Sequence, residues 1–443
     1  MKKVLIVSPH FPPGNAPDMQ RVRMSLPYYR ANGWEPVVLA VDSGWQGCAH
    51  DDELMETLPQ DVRIIRTRAF STRWTRRVGV RNIGLRAWLF FLWKGTRLLR
   101  REKFDLVFFS TTQFVLFTLG PFWKWLFRIP YILDVQDPWR TDYYERAGSR
   151  KPPGGWKYQF VRLQARIFEG WCFRRAGAIM SVSGHYIDDL RARYPRVART
   201  PAAVIQFGAS RNDISQAALR SASAGRLVRR PGEKHLVYTG ASGPVMPHAL
   251  LVLFAALRLY REHSPERAGR LHFHFVGTSY VLPGQGHPSV LPVAEQCGVV
   301  DLVEEIPHRI GYLNAIRLQR EADALLILGS SDLAYSPSKM YQYFLTEKPI
   351  LGLVFRDSVM EALLDHLSCA FVVRFREAEP KAEAYADAAR AFDLILEDRL
   401  MVDLPPRNDV FFRANFLVEE STRAQCALFE SALTPEQQDA SRP

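Results

Sequence analysis

Short apolar runs alternate with longer amphipathic stretches along the chain, and no other feature of the sequence constrains the fold as strongly. In the first half, apolar runs at residues 4–8, 34–41 and 131–135 are separated by turns and by segments with helical periodicity, 18–31 and 158–175 among them. Strands that alternate with helices form parallel sheets covered on both faces. The sequence therefore predicts an α/β fold.

The same alternation starts a second time after residue 232. With 443 residues, the chain is too long for one ordinary core and suits two domains. The second series has predicted strands and helices at 236–238, 248–262, 272–276, 325–328, 338–344 and 349–354. The predicted organisation is an N-terminal domain (1–209), a Ser-, Ala- and Arg-rich linker (210–232), a C-terminal domain (233–406), and a helix over 411–433 within a C-terminal segment of helix and polar tail (407–443).

Cysteine and histidine usage argues against a metal or disulfide framework. The cysteines are odd in number and form no C-x-x-C pair, which favours reduced thiols in a cytoplasmic protein; they are Cys48, Cys172, Cys297, Cys369 and Cys426. His272 and His274 alternate along a strand without paired carboxylates, so we interpret them as core and surface positions. There is no D-x-D motif. No metal and no cofactor is expected.

Charge is concentrated in one region, which we call the basic-aromatic segment (residues 66–103). It holds twelve Lys or Arg and one acid, so it carries nearly all of the chain's net charge of +12. Trp, Phe and Leu are interleaved with these cations. On a helix this pattern gives an apolar face with a cationic rim, typical of a peripheral membrane anchor. The alternative is a helix packed on the sheet with solvated arginines. No nucleic-acid motif accompanies the charge, so nucleic acid is not an expected partner.

Four segments together resemble the family-4-like ("group 1") glycosyltransferases of the GT-B fold. They are the first strand with its loop (10–14) and residues 32–38 (Asn-Gly-Trp-Glu-Pro-Val-Val), residues 133–139 (Leu-Asp-Val-Gln-Asp-Pro-Trp), residues 204–209 (Val-Ile-Gln-Phe-Gly-Ala), and residues 336–350 with the pattern P-S-K-x-x-x-Y-x-x-x-E-K-P-I. The last is the most specific. The resemblance implies two Rossmann-like domains facing an interdomain cleft, with the C-terminal helix returning to the N-terminal domain.

The second domain is expected to bind a nucleoside-diphosphate sugar. Ser338 is placed to cap a helix whose positive end attracts phosphate, and Lys339 adds a full charge that stabilises the leaving diphosphate. Glycines after a buried strand allow a phosphate to approach the backbone. The predicted donor-binding residues are Gly240, Ser242, Gly243, Ser338, Lys339 and Gln342.

The chain departs from the family at two places. Family members carry Arg and Lys after the first strand of the second domain, yet residues 239–249 contain neither. The glutamate pair that holds the donor ribose corresponds to Ala334 and Gln342. A catalytically inactive paralogue, acting as a membrane-associated scaffold or regulatory subunit, is therefore one alternative. A sugar-nucleotide epimerase of the same fold is another, whereas the absence of G-x-G-x-x-G argues against a dinucleotide oxidoreductase.

The first domain is expected to hold the acceptor. Gly14, Asp134 and His185 are the predicted acceptor-binding residues, and Asp137, His10 and Lys339 are the predicted catalytic ones. The sequence thus predicts transfer of a sugar to a lipid-linked or polysaccharide acceptor, and the resemblance implies retention of the anomeric configuration. The predicted location is the cytoplasmic face of the plasma membrane, reached through the basic-aromatic segment.

Overall fold

The computed structural model describes residues 1–77, 79–140, 156–223, 226–242, 246–279, 286–333, 338–377, 381–402 and 404–433, with residues 156–161 described by their backbone alone. The chain forms two compact units. The first comprises Met1–Gly208 together with the C-terminal segment from Val418, and the second comprises Ala209–Leu417.

Unit 1 is built on a parallel sheet that has seven strands among the described residues, in the order β5-β3-β1-β6-β7-β8-β9. Val4–Val7 in β1 are fully buried, as expected of a central strand covered by helices on both faces. Its strands are β1 Lys2–Val7, β2 Gly14–Asn15, β3 Trp34–Val41, β4 Ala49–His50, β5 Arg63–Thr67, β6 Leu106–Ser110, β7 Tyr131–Val135, β8 Ala178–Ser181 and β9 Ala202–Val204, of which β2 and β4 form a separate ribbon. Its helices before residue 209 are α1 Gln20–Ser25, α2 Ser43–Gln46, α3 Thr72–Thr75, α4 Ile83–Arg101, α5 Leu119–Phe127, α6 Trp156–Phe173 and α7 Gly184–Arg193.

Unit 2 has a parallel sheet with six strands among its described residues, in the order β12-β11-β10-β13-β14-β15. Its strands are β10 Lys234–Thr239, β11 Leu271–Val276, β12 Val303–Ile306, β13 Ala324–Leu328, β14 Ile350–Phe355 and β15 Phe371–Phe375. Its helices are α8 Arg211–Ala218, α9 Pro247–His263, α10 Pro265–Ala268, α11 Leu291–Gln296, α12 Tyr312–Glu321, α13 Lys339–Thr346, α14 Val359–Leu367, α15 Ala382–Leu396 and α16 Asp409–Phe416. The predicted α/β class with two Rossmann-like units is confirmed.

The last helix, α17 (Val418–Ser431), belongs to unit 1. Gln425 donates to the Ser25 hydroxyl (3.0 Å) and accepts from the Tyr29 hydroxyl (2.9 Å), and Phe429 lies 5.3 Å from the Trp34 ring. The prediction that the C-terminal helix returns to the N-terminal unit is therefore confirmed.

Three predicted segments differ from the structure. The predicted helix 18–31 is broken after Ser25 by a 3₁₀ turn containing Pro27, which lacks the N–H that a helix requires. The predicted helix 411–433 is interrupted at Leu417, an extended residue that pairs with Ala209. The predicted linker 210–232 contains α8, because Ser210 caps that helix and Ala217 packs against α12.

Candidate functional site

Three elements of unit 2 converge on one turn: the carboxyl ends of β10 and β11 and the first residue of α13. Gly240 follows β10 with φ +105° and donates its N–H to Val276 at the end of β11 (2.8 Å). The Nζ atom of Lys339 lies 3.2 Å from the place that a Cβ of residue 240 would occupy. Glycine is therefore needed twice here, for the left-handed backbone and for the approach of the lysine.

Lys339 presents a buried ammonium to this turn. Its Nζ has no hydrogen-bond partner among the described residues and lies 3.7 Å from the centre of the Tyr238 ring. Burial, followed by the nearby charge of Arg309, lowers the pKa of Lys339 to about 7. An anion bound at Gly240 would supply the missing partner and restore full protonation of the lysine.

Arg309 is the residue of this site that sequence reasoning missed. It lies in the loop after β12, and its Cα is 3.8 Å from the place that a Cβ of Gly277 would occupy. Gly277 itself follows β11 with φ +76° and lies beside Gly240. The two cations come from segments 30 residues apart in the sequence, so only the order of strands in the sheet brings them together. A second cation therefore acts on this turn from the loop after β12, although residues 239–249 contain neither Arg nor Lys.

Other predicted donor residues are placed differently. Ser242 is buried, and its hydroxyl pairs with the Ser289 hydroxyl (2.8 Å). Ser338 precedes α13 as predicted but makes no side-chain cap, because its backbone is already helical (φ −60°, ψ −20°) rather than extended as a capping residue requires. That capping prediction is wrong. Gly243 and Ala334 lie outside the described residues.

Gln342 is engaged by its neighbours in unit 2. Its Oε1 accepts from Gln319 (3.3 Å), and its Nε2 donates to the Tyr312 hydroxyl (3.1 Å). Gln319 also donates to Thr239 at the end of β10 (2.8 Å). A ribose hydroxyl would have to replace one of these bonds, so the ribose-binding role of Gln342 stays a prediction.

The carboxyl edge of the unit 1 sheet carries a buried polar network. Asp134, at the end of β7, is fully buried, pairs with Arg21 (Nε–Oδ2 2.8 Å) and accepts from Ser110 (2.7 Å). Arg21 also donates to the carbonyl oxygen of Ile205 (2.8 Å). Because the carboxylate is enclosed, Asp134 has no surface for an acceptor; the structure contradicts its predicted acceptor contact and gives it a structural role.

Two predicted catalytic residues lie at the same edge. His10 follows β1, and its Nδ1 lies 2.8 Å from Oδ1 of Asp18, which sequence reasoning did not single out. Asp18 is 4 % exposed and accepts from the Thr111 hydroxyl after β6 (2.8 Å). Asp137 is solvent-exposed at the end of β7; partial desolvation, followed by the charge of Asp18, raises its pKa. Both remain available to a substrate.

Two further acceptor predictions receive little support from the geometry. Gly14 is buried in the β2–β4 ribbon, where a Cβ would meet the Gln46 side chain, so the glycine is explained by packing. His185 is 70 % exposed at the start of α7 and lies 3.6 Å from Asp189 on the next turn. Their acceptor roles stay predictions.

The basic-aromatic segment forms α3 and α4 of unit 1. One face of α4 is buried through Ala87, Phe91 and Leu98, while Leu89 and Trp93 are 53 % and 60 % exposed. Trp74, in α3, is 69 % exposed, and Trp125, which lies in α5 outside this segment, is 75 % exposed. The exposed cations of the segment that lie in α3, in α4 or between them are Arg73, Arg76, Arg77, Arg81, Arg97, Arg100 and Arg101. Arg86 is instead buried and donates to the carbonyl oxygen of Phe70 (2.8 Å). Across the described residues, no helix is both long and apolar enough to span a bilayer.

The histidines of unit 2 lie side by side on one sheet face. His235 Nδ1 is 2.8 Å from His274 Nε2, and His274 Nδ1 is 2.9 Å from Glu304, while the ring of His272 stacks on that of His235. Burial, followed by the charge of His274, lowers the pKa of His235 to about 4. His272 and His274 therefore point to one face rather than alternating between core and surface. The described residues contain no group of three or more His, Cys, Asp or Glu arranged to hold a metal ion.

One family model matches part of unit 1. Residues 20–208 match the model of the glycosyl transferase 4-like domain. No sequence among curated proteins matches the chain.

Solved structures match both units together. HepE of Anabaena, solved with UDP-glucose, is 14 % identical with a TM-score of 0.56 and matches 98 % of this chain and all of its own. A UDP-forming trehalose-phosphate synthase of Burkholderia xenovorans is 11 % identical with a TM-score of 0.61, over 98 % and 100 % of the two chains. A UDP-GlcNAc 2-epimerase of Methanocaldococcus jannaschii is 11 % identical with a TM-score of 0.51, over 97 % and 100 %.

At these identities the structural likeness establishes the GT-B fold, and the family model adds the type of domain. This chain therefore carries a region in unit 1 that matches a glycosyl transferase 4-like domain, and its two units have the GT-B fold.

Proposed function

We propose that the protein transfers a sugar from a nucleoside diphosphate to a lipid-linked or polysaccharide acceptor. The observation that carries this proposal is the buried Lys339 ammonium, which has no hydrogen-bond partner among the described residues and faces the Gly240 turn. A buried cation without a partner is costly to the folded state, and a diphosphate is the ligand that offsets this cost. The same charge stabilises the diphosphate as it leaves the sugar.

Arg309 is the second cation for the diphosphate in this proposal. It acts on Lys339 electrostatically and lies next to the paired glycines Gly240 and Gly277. A guanidinium can bind phosphate oxygens through two parallel hydrogen bonds, which an ammonium cannot. Since HepE was solved with UDP-glucose and the trehalose-phosphate synthase forms UDP, a UDP-sugar is the first donor to test.

Calorimetric titration with UDP, GDP, ADP and dTDP tests the donor site. We expect one nucleotide to bind in the micromolar range, with an affinity at least tenfold lower for both Lys339→Ala and Arg309→Ala. Lys234→Ala is the matched control, because Lys234 is a lysine at the opposite end of β10, paired with Asp398 (2.6 Å). Selective binding that Lys339→Ala leaves unchanged would remove the diphosphate from this turn.

Two other functions give different outcomes in the same assays. An inactive scaffold would bind none of the four nucleotides. Two features favour it: the Gln342 side chain is already hydrogen-bonded to Gln319 and Tyr312, and Ala334 stands where the family carries a glutamate. An epimerase, which the Methanocaldococcus structure exemplifies for this fold, would convert the sugar nucleotide without an acceptor. Proton NMR of the product distinguishes epimerisation from transfer and also reports the anomeric configuration, for which the family resemblance implies retention.

We also propose that the basic-aromatic segment docks the protein on an anionic membrane, at the face where a lipid-linked acceptor resides. Trp93 and Leu89 would enter the interface while arginines contact anionic headgroups, each contributing about 1 kcal/mol. Arg97 already lies over the Trp93 ring (5.6 Å), so aromatic and cationic groups act from one patch. The cytoplasmic location stays part of this proposal.

Co-sedimentation with phosphatidylcholine vesicles, with and without phosphatidylglycerol as the anionic lipid, tests the docking. We expect Arg97→Glu/Arg101→Glu to lower binding to the anionic vesicles tenfold or more, and Trp93→Ala to lower it severalfold. Arg413→Glu makes the same type of charge change on the exposed surface of unit 2 and should have little effect. Equal binding by all variants would leave the arginines as solvated surface charges.

A further inference from the structure

We infer that unit 2 has a second anion site, at the edge of its sheet opposite the Gly240 turn, and that this site binds a soluble phosphate compound with two or more negative charges. The site consists of two neighbouring cavities, of about 320 and 370 Å³, which share Ser221 and Glu321 as lining residues. Cavities of this size suit small ligands. All lining residues belong to unit 2, so the inference rests neither on unit 1 nor on the proposed function.

The parallel sheet places this site away from the Gly240 turn. The strands of such a sheet begin at one edge, where the preceding helices end, and Asp323 and Lys348 lie just before the adjacent strands β13 and β14. Gly240 follows β10 at the other edge. Lys339 is the first residue of α13 and Lys348 follows its last turn, so the length of this helix, about 12 Å, lies between the two lysines. An anion bound at one lysine therefore leaves the other unoccupied.

Cations outnumber carboxylates around the two cavities. Six cations line them against the carboxylates of Glu321 and Asp323; the cations are Arg220, Arg226, Arg229, Arg317, Arg320 and Lys348. Three helices, α8, α12 and α13, end at this edge, and the carboxyl end of each adds roughly half a negative charge. The balance stays positive by roughly two charges, which sets the charge of the expected ligand.

The two carboxylates are already bound within the protein. Asp323 pairs with Arg229 (Nη1–Oδ2 2.9 Å), and the same oxygen accepts from the His235 backbone N–H (2.7 Å). Glu321 accepts from the Ala222 backbone N–H (2.8 Å). Both carboxylates thus hold the chain between α8 and β10 in place.

Three of the cations have no such partner. Arg226 and Arg320 are exposed, Lys348 is half-buried, and none of the three forms an ion pair with a described residue. Burial lowers the pKa of Lys348; Asp323 opposes this shift, whereas Arg229 and Arg320 add to it. The two arginines are therefore close enough to Lys348 to repel its charge, and an anion bound among them relieves that repulsion.

The lining residues favour a phosphate compound in solution over a membrane surface. Guanidinium groups bind phosphate oxygens through paired hydrogen bonds, and the Lys348 ammonium and the Ser221 hydroxyl add further donors. No aromatic side chain is among the described residues that line the cavities, in contrast to the exposed Trp74 and Trp93 of the basic-aromatic segment. The site therefore lacks the side chains that enter a bilayer interface.

Calorimetric titration with inorganic pyrophosphate tests the site. It is carried out in Lys339→Ala, so that the Gly240 turn does not contribute. We expect one pyrophosphate to bind per chain, and the additional changes Lys348→Ala and Arg320→Ala each to lower the affinity about tenfold or more. Lys348→Arg keeps the charge and should retain binding. The matched control is Arg258→Ala, which removes an exposed arginine of α9 on the other face of the sheet and should have no effect.

Vesicles distinguish a soluble ligand from a lipid headgroup. Phosphatidic acid offers the same phosphate chemistry in a bilayer, and Arg97→Glu/Arg101→Glu removes the contribution of the basic-aromatic segment. In that variant we expect Lys348→Ala to leave co-sedimentation with vesicles of phosphatidylcholine and phosphatidic acid unchanged. Vesicle binding that depends on Lys348, in a protein that does not bind pyrophosphate, would overturn the assignment of a soluble ligand.

Two further results would count against the site. One is pyrophosphate binding that Lys348→Ala and Arg320→Ala leave unchanged, or no binding at all. The other is a heat of binding that sodium sulfate at equal ionic strength reproduces, because that result indicates unselective attraction of anions. Both leave the proposed function standing, since nucleotide binding at Lys339 tests it. Conversely, a wild type that binds pyrophosphate here but no nucleotide would remove the proposed function and support this site.

Discussion

The carboxyl edges of the two sheets place charged groups in different ways. In unit 1 the buried carboxylates have partners within the protein: Asp134 pairs with Arg21, and Asp18 lies against His10. In unit 2 the Lys339 ammonium is buried at the corresponding edge without a hydrogen-bond partner among the described residues. The first arrangement holds side chains in fixed positions, whereas the second leaves a charge that a ligand can satisfy. Under the proposed function, the anion therefore binds to unit 2, whereas the charged side chains of unit 1 are satisfied within the protein.

The largest expected effect comes from breaking the internal pair of unit 1. Arg21→Met leaves Asp134 as a buried charge without its cation and should lower the free energy of unfolding by about 3–5 kcal/mol. Urea denaturation followed by tryptophan fluorescence measures it. Adding Asp134→Asn to this variant should recover a substantial part of the loss. A loss below about 1 kcal/mol would show that the ion pair between Arg21 and Asp134 contributes little to the stability of the folded protein.

The second effect concerns pH and Lys339. Because burial lowers the pKa of Lys339 from 10.5 to about 7, the unfolded chain binds one more proton than the folded chain between these pH values. The free energy of unfolding should therefore rise from pH 7 to 9.5, by about 3 kcal/mol from this group. Urea denaturation at both pH values should show this rise in the wild type and not in Lys339→Met. Equal slopes in the two proteins would place the ammonium in contact with solvent.

The third effect is stabilisation by ligand. A nucleotide at 100 times its dissociation constant should stabilise unit 2 of the wild type by about 2.7 kcal/mol. Lys339→Met should lose most of this gain while being as stable as the wild type, or more stable, without ligand. Differential scanning calorimetry with and without the nucleotide measures both. Stabilisation of the variant equal to that of the wild type would mean that the anion binds elsewhere.

The smallest effect compares the helix starts of the two units. Asn82 caps α4 of unit 1 by accepting from the Leu85 N–H (3.1 Å), so Asn82→Ala should cost about 1 kcal/mol. Ser338 makes no such bond at the start of α13, so Ser338→Ala should cost less than about 0.5 kcal/mol. Urea denaturation of both variants gives the comparison. A cost for Ser338→Ala as large as that for Asn82→Ala would restore the predicted cap.

Sequence reasoning performed best where a residue's role depends on its immediate neighbours along the chain. The strand at 34–41 and the turn at Gly240 follow from apolar runs and glycine placement, and both were predicted. Lys339 was predicted to lie at an anion site, and the structure does bring it against Gly240. The Ser338 cap was wrong because capping depends on backbone angles that the motif does not specify.

Residues that depend on strand order were not predicted. Asp18 meets Thr111 only because β6 lies beside β1, and Arg309 approaches Gly277 only because β12 lies beside β11. The enclosure of Asp134 by Arg21 belongs to the same class: an acid at the end of a strand has the same sequence pattern whether it faces solvent or a buried arginine.

The sequence by itself determined the two α/β units, the resemblance to a glycosyltransferase family, and Lys339 with Gly240 as parts of one candidate site, because hydrophobic periodicity, glycine placement and a local motif are properties of consecutive residues. The tertiary structure alone decided which charges are paired and which are left for a ligand. The sign and extent of a buried charge's stabilisation depend on what packs against it in three dimensions, and those neighbours come from distant parts of the chain.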